Sequence, residues 1–313
     1  MSPARREPGL VAPHDRPAAG RAGGLLLALL VGVLVGCSAW PEQQEAVPTD
    51  GPLTVVVSMT VLADFVGQVG GEHVEVISLV PTGADPHTHE PTPADARTVA
   101  DADLVVANGV GLEPWFDRLV ATAGVDVVWA TDGLDAEVVD DEDGRADPHL
   151  WMAPRLAIGY VRTIADALAD AVPDHAEELR ANADAYAAEL ADTLAAIPEE
   201  RRVLVTPHDA YAYFAEAYDL EVATVVGVST EEEPSAAGVQ AVVDVVRQRD
   251  VPTVFVESTV NRAVIDRIAT DAGVDVGDPL YGDSVGEPGS GADSYVGMMR
   301  ANAAALVDGL ADR

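Results

Sequence analysis

The feature that most limits the fold is an alternation, run through twice, of short β-branched stretches and stretches with helical period. Residues 54–58, 75–80, 104–108 and 125–130 read as strands, with helices expected over 61–69, 93–102 and 113–122. The pattern restarts with strands at 203–206, 223–228 and 253–257, and with helices at 210–217, 236–249, 262–272 and 294–310. Near-continuous apolar strands separated by helices need cover on both sheet faces, which is the parallel arrangement. The expected fold class is therefore α/β: two lobes with parallel sheets flanked by helices.

Between the two runs lies a helical stretch, 157–197, interrupted at Pro173. Beyond that proline, Leu179, Ala183, Tyr186, Leu190, Leu194 and Ile197 follow steps of three and four, one apolar stripe of a helix. A helix of about 24 residues spans about 36 Å, enough to join one lobe to the other as a long rigid linker. The expected domains are 53–172 (N-terminal lobe), 173–198 (linker helix) and 199–313 (C-terminal lobe).

The residues ahead of these are expected to be targeting and tether. Arg5, Arg6, Arg16 and Arg21 precede an apolar run, 25–36, that stops at Cys37. A positive region followed by a short apolar region is a secretory signal, and the run is well short of the roughly 20 residues that span a membrane. Leu34-Val35-Gly36-Cys37 resembles the bacterial lipobox, so 1–36 is expected to be a signal peptide and Cys37 the lipidated first mature residue. Residues 37–52, rich in Pro, Glu and Gln, form a flexible tether. As the only cysteine, Cys37 also rules out an internal disulfide, a CxxC pair and a cysteine zinc cluster.

Fifty-three acidic residues against 18 basic ones give a formal charge of −35, and no lysine is present. Nucleic acid is excluded as a partner, because phosphate binding needs clustered cations. There is no HExxH helix. Gly286 to Gly291 is followed by Ala292-Asp293 where a phosphate loop needs Lys and Ser/Thr.

Three of the seven histidines sit in look-alike contexts. Asp85-Pro86-His87 and Asp147-Pro148-His149 share a tripeptide, and Pro207-His208-Asp209 follows the strand at 203–206. Each has proline before histidine at a loop beyond a strand, where open α/β sheets bind their ligands. Asp283 follows the apolar segment 274–276 in the same manner. Imidazoles with one carboxylate suit a tetrahedral divalent ion, yet the separations match no local zinc-finger pattern. Spacing alone does not assign these residues.

Longer motifs carry more. Asp85-Pro86-His87-Thr88-His89-Glu90-Pro91, Asp147-Pro148-His149-Leu150-Trp151-Met152-Ala153-Pro154 and His208-Asp209-Ala210-Tyr211-Ala212-Tyr213-Phe214 resemble, in order, three motifs of the TroA/ZnuA-like substrate-binding proteins of zinc and manganese ABC transporters. Segments 229–235, 254–258 and 293–299 agree with the same family, so the resemblance covers 53 to the C-terminus. It implies a metal held between the lobes by His87 and His149 from the first and His208 and Asp283 from the second. It implies no catalysis: the chain would be a monomeric, membrane-anchored extracytoplasmic carrier handing Zn²⁺, with Mn²⁺ as the alternative, to an ABC permease and its ATPase. Zinc is favoured because manganese-type members tend to have Glu where His208 stands. The competing reading of another class is a zinc metallohydrolase.

Ala153 departs from the family's usual Asp, and His89 stands where another residue is commoner; His89 is expected to line a neighbouring pocket rather than ligate. The stretch 135–147 is acidic but lacks the histidines of zinc-type loops, leaving a cation-collecting lid and a solvated loop both open. The glycines around Asp283 make that loop the expected mobile element, and His14, His73 and His175 are expected to be dispensable.

Overall fold

The computed structural model describes residues 51–134, 146–192 and 203–310. The expected signal peptide, Cys37, most of the tether, His14 and nearly all of the acidic stretch lie outside them. No described helix is long and apolar enough to cross a membrane.

The first lobe opens with β1 (Leu53–Val57), α1 (Thr60–Gly70) and β2 (Val74–Ser78), then α2 (Pro93–Ala100), β3 (Leu104–Ala107), α3 (Phe116–Ala123) and β4 (Val127–Trp129). The four strands are all parallel in the order β2-β1-β3-β4, which places the almost fully buried β1 near the centre. Local signals set several boundaries. Thr92 and Asp95 form a reciprocal capping box with Pro93 at the first helical position of α2. Gly124, at φ 70°, ends α3 in the left-handed conformation that an L side chain resists.

The second lobe contains β5 (Val203–Thr206), α6 (Ala212–Tyr218), β6 (Glu221–Thr224), α7 (Ala236–Gln248), β7 (Thr253–Val254), α8 (Ala263–Ala272), β8 (Asp275–Val276) and α9 (Tyr295–Leu310). β5 pairs in parallel with β6, and β7 with β8. A bond from Phe255 N–H to the Val205 carbonyl (2.9 Å) joins the two pairs.

Among the expected boundaries that shift, three have an identifiable cause. β6 ends at Thr224 rather than 228, because Pro207 has no N–H to continue the ladder. Val225 and Val226 both donate instead to the Pro207 carbonyl (3.3 and 3.2 Å). α3 begins at Phe116 rather than 113, because the Glu113 side chain turns inward as an acceptor. The stretch 157–197 is two helices, α4 (Pro154–Ala171) and α5 (Ala176–Asp192), separated by a 3₁₀ turn at Pro173–His175.

α5 carries Leu179, Ala183 and Tyr186 buried, as the stripe requires, and the remainder of the expected linker lies beyond the described residues. α5 packs most extensively on α4, and also on α1. The link is therefore anchored along the first lobe as well as stiff.

The lobes also share a core. One apolar cluster runs from β1, α1 and α4 through α5 to Tyr213, Phe214 and α9. Phe65 of α1 meets Tyr295 of α9 edge to face, with centroids 4.9 Å apart. Tyr295 donates its N–H to Asp64 (2.9 Å) and its hydroxyl to the Trp151 carbonyl (2.5 Å). Separate clusters cover the outer faces of the two sheets. An interface packed like a domain interior resists rotation, so the shared core opposes hinge motion.

Candidate metal centre

Parallel strands all point the same way, so the loops that leave their carboxyl ends gather along one edge. His87 lies in the loop after β2 and His149 in the loop after β4, at the start of a 3₁₀ turn (Leu150–Met152). His208 lies two residues beyond β5, and Asp283 in the segment after β8. All four side chains are buried: His87 is 3% exposed, Asp283 1%, His149 and His208 0%.

Their donor atoms converge within 4.8 Å of one another. His87 Nε2 lies 3.3 Å from His149 Nε2 and 3.8 Å from Asp283 Oδ2. His149 Nε2 is 3.4 Å from Asp283 Oδ1, and His208 Nε2 is 3.4 Å from Asp283 Oδ2. Zinc–nitrogen bonds of 2.0–2.1 Å at tetrahedral angles separate neighbouring ligand atoms by about 3.3 Å. Three of these four donor–donor gaps sit near that edge length, and the His87–Asp283 gap is wider. Among the described residues, neither Asp283 oxygen nor His208 Nε2 has a hydrogen-bond partner, although all three atoms are buried. Buried polar atoms are normally paired, so these orphans face a common centre that suits a cation.

The backs of the rings are held too. Asp147 Oδ1 accepts from the His149 backbone N–H (2.9 Å) and lies 2.7 Å from its Nδ1. Glu257 accepts from the His208 N–H (3.2 Å) with one oxygen and places the other 2.7 Å from His208 Nδ1. His87 hydrogen-bonds the Leu112 backbone. Each contact directs Nε2 inward, the usual orientation of metal-binding imidazoles by outer partners.

The two tripeptides thus use one local device, an aspartate accepting from the N–H two residues on; for Asp85 and His87 that bond is 2.8 Å. Their second oxygens differ in use. Asp85 Oδ2 takes the Thr230 hydroxyl of the second lobe at 2.5 Å. Burial raises the Asp85 pKa, against the pull of that hydroxyl.

The rings differ electrically. Burial lowers His87 to about 3, with Asp283 opposing. For His149 burial acts downward first, but Asp147 and Asp283 outweigh it and hold the ring up at about 9. His208 is raised well above the usual histidine range, Glu257 and Asp283 overcoming burial. Asp283 is buried yet held well below the usual carboxylate range by His208 and His149.

Asp283 is anchored on both sides. The Gly282 carbonyl accepts from Trp151 Nε1 (3.0 Å), and Ser284 Oγ meets Thr60 Oγ1 (3.1 Å) and the Gly83 N–H (2.9 Å). These ties cross the lobes on both sides of Asp283. His89 does not join the cluster; it stands edge-on to Trp115 with centroids 4.7 Å apart. Sequence reasoning missed Asp147, Glu257 and Thr230 as supporting groups, although a carboxylate closing the apolar run Val254-Phe255-Val256-Glu257 demands a buried partner.

A deeper buried carboxylate steadies the site from behind. Glu113 accepts from the Ser58 hydroxyl (2.5 Å) and the N–H groups of Asn108 (2.9 Å) and Gly109 (3.3 Å). Burial pushes it up to about 7 in spite of these donors. Asn108 in turn donates to the Pro148 carbonyl (3.0 Å) and accepts from Tyr160 (2.8 Å), fixing the backbone beside His149.

Residues 55–309 match the family model described as ZnuA, the periplasmic zinc-uptake complex component A. The manganese-binding lipoprotein MntA of Halalkalibacterium halodurans is 39% identical over 287 residues, covering 89% of this chain and 94% of that protein. The manganese ABC transporter substrate-binding lipoprotein PsaA of Streptococcus pneumoniae is 32% identical over 308 residues, covering 92% and 98%. The periplasmic zinc-binding protein TroA of Treponema pallidum superposes with a TM-score of 0.80 at 29% identity, over 84% of this chain and all of the other. The chain belongs to the ZnuA family and is a metal ABC transporter substrate-binding protein.

Proposed function

We propose that His87, His149, His208 and Asp283 bind the transported cation, that the cation is zinc, and that the chain delivers it to an ABC permease driven by its ATPase. The observation that carries this reading is the closed set of three imidazoles and one carboxylate, with donor gaps of 3.3 to 3.8 Å, three of the four near a tetrahedral edge. A zinc hydrolase keeps an open position for water; four buried donors around one centre favour binding over catalysis. Imidazole-rich sites suit zinc, whereas manganese prefers oxygen ligands in larger sets. Delivery fits a monomer anchored at the outer face of the membrane through lipidated Cys37, as the lipoprotein names of its relatives support. Division at 53–172, 173–198 and 199–313 is retained, with the metal at the seam of the outer pair.

Manganese is the second reading. Two relatives bear manganese names, and both Asp283 oxygens face the centre, so a bidentate carboxylate would raise the ligand count. Elemental analysis of protein isolated from its own membrane, without added metal, separates the two. About one zinc per chain is expected. Manganese at that stoichiometry would transfer the assignment to the second reading, and absence of both metals would remove the cation-carrier reading.

A further inference from the structure

A second group of metal-type donors lies away from this centre. His73 closes a 3₁₀ turn (Gly71–His73) ahead of β2, whereas His87 lies in the loop beyond the other end of that strand. His175 closes the turn between α4 and α5, and Glu178 stands in the first turn of α5. His73 Nε2 is 3.1 Å from Glu178 Oε2. The His73 and His175 rings stack, with centroids 3.8 Å apart and planes 24° apart. One donor atom from each of the three residues lies within 4.8 Å of the others.

These donors occupy rigid ground. Glu178, Asn182 and Tyr186 follow one another at steps of four on a single face of α5. Tyr186 donates to Asp64 (2.7 Å) and Asn182 to the Val69 carbonyl (3.0 Å), so the pairing of Glu178 with His73 is the last rung between α5 and the end of α1. The His73 side chain is largely covered while Glu178 is 56% exposed, so the cluster opens to solvent on one side. The exposed side chains of His175 and Glu178 can rotate to close the spread towards the roughly 3.3 Å edge of a tetrahedral site, leaving water as fourth ligand.

We propose that His73, His175 and Glu178 form a second, solvent-facing site for a borderline divalent cation of the zinc or copper class, clamping the end of α1 to the α4–α5 turn. Two imidazoles with one carboxylate select such ions over manganese, magnesium or calcium, which favour oxygen ligands. The site is independent of the transport centre, and occupancy adds to stability by mass action. It also gives a role to two histidines that sequence alone left idle.

The test is zinc stoichiometry of the full chain by native mass spectrometry and equilibrium dialysis. Wild type is expected to take two zinc ions, the second weaker, but no second manganese ion. H73A/H175A should take one, with the first unchanged, and E178Q should weaken only the second. A single zinc in wild type, or a second zinc that persists in H73A/H175A, overturns the proposal. Should the double variant fold poorly, wild type preloaded with one zinc and given one equivalent of Cu²⁺ decides by electron paramagnetic resonance. Coupling to two nitrogens is expected, and a copper with oxygen ligands alone overturns the assignment.

Discussion

Adding zinc to the metal-free protein should expel protons already held in the site, and their number follows from the direction in which each ring's pKa is displaced. At pH 7.5 a ring held up at about 9, as for His149, is mostly protonated, and His208, raised well above its usual value, is charged as well. His87, at about 3, is neutral, and Asp283 is ionised. Only neutral imidazole ligates, so about two protons leave per metal bound. Three unperturbed rings near 6.5 would release together about 0.3. The sign is that affinity falls as pH falls, with the loss beginning above the usual histidine range and approaching about 100-fold per unit where both raised rings are protonated. Stability of the metal-free form runs the other way. A ring whose folded-state pKa is raised contributes stability that is complete below about 6.5 and lost as pH rises through its folded value, about 9 for His149. The advantage in Tm conferred by zinc should therefore widen from pH 6 to pH 9. Calorimetric titration in buffers of different ionisation enthalpy reads the proton count directly. Asp147→Asn, which removes the charge behind His149, should lower it by about one. A release below about half a proton at pH 7.5 would show that the rings are neutral before metal arrives, and the electrostatic reasoning would fail.

Replacing His87, His149, His208 or Asp283 singly by alanine should weaken zinc binding by orders of magnitude in a chelator competition. His89→Ala should change it little, because that ring sits against Trp115. Tyr295→Phe leaves the buried Trp151 carbonyl without its donor and should lower stability by about 1–3 kcal/mol in denaturant unfolding. Phe65→Ala opens the core shared by the lobes and should cost about 3–5 kcal/mol in the same assay. Cys37→Ser should move the chain out of the detergent phase on partitioning. With a common core bridging the lobes, zinc should leave the radius of gyration from small-angle scattering nearly unchanged; a shift of several ångströms would show a hinged binder.

The strands and helices were legible because each carries a local signal: β-branched runs for β1 to β5, and Thr92-Pro93 and Gly124 as helix punctuation. Where a boundary moved, a side chain or a missing N–H from elsewhere intervened, as with Glu113 before α3 and Pro207 beside β6. No window of sequence contains both halves of such a contact. The same distinction divides the site. His87, His149, His208 and Asp283 were visible as candidates because each lies beyond a strand or apolar segment, and motif resemblance grouped them as one ligand set. Asp147 and Glu257 were not singled out, since their work depends on ring orientation, which exists only after folding.

The ties between the lobes follow the same logic and bear on how cargo leaves. Thr230 reaches Asp85, Trp151 reaches Gly282 and Tyr213 reaches the Asp147 carbonyl (3.2 Å). Each therefore holds a residue within two positions of a proposed ligand, and each crosses the seam. Opening the seam would thus disturb ligand loops from both sides at once, whereas loosening a single loop would leave three ligands in place. Release by small coordinated shifts of these loops accords with the shared core better than a wide swing of one lobe. Thr230→Val tests the idea, since it removes one tie while keeping the shape of the side chain. Zinc dissociation into excess chelator should quicken with little change in association, as expected when a contact holds the bound state together. Equal slowing of association would instead show that Thr230 shapes the empty site, and the seam would lose its part in retention.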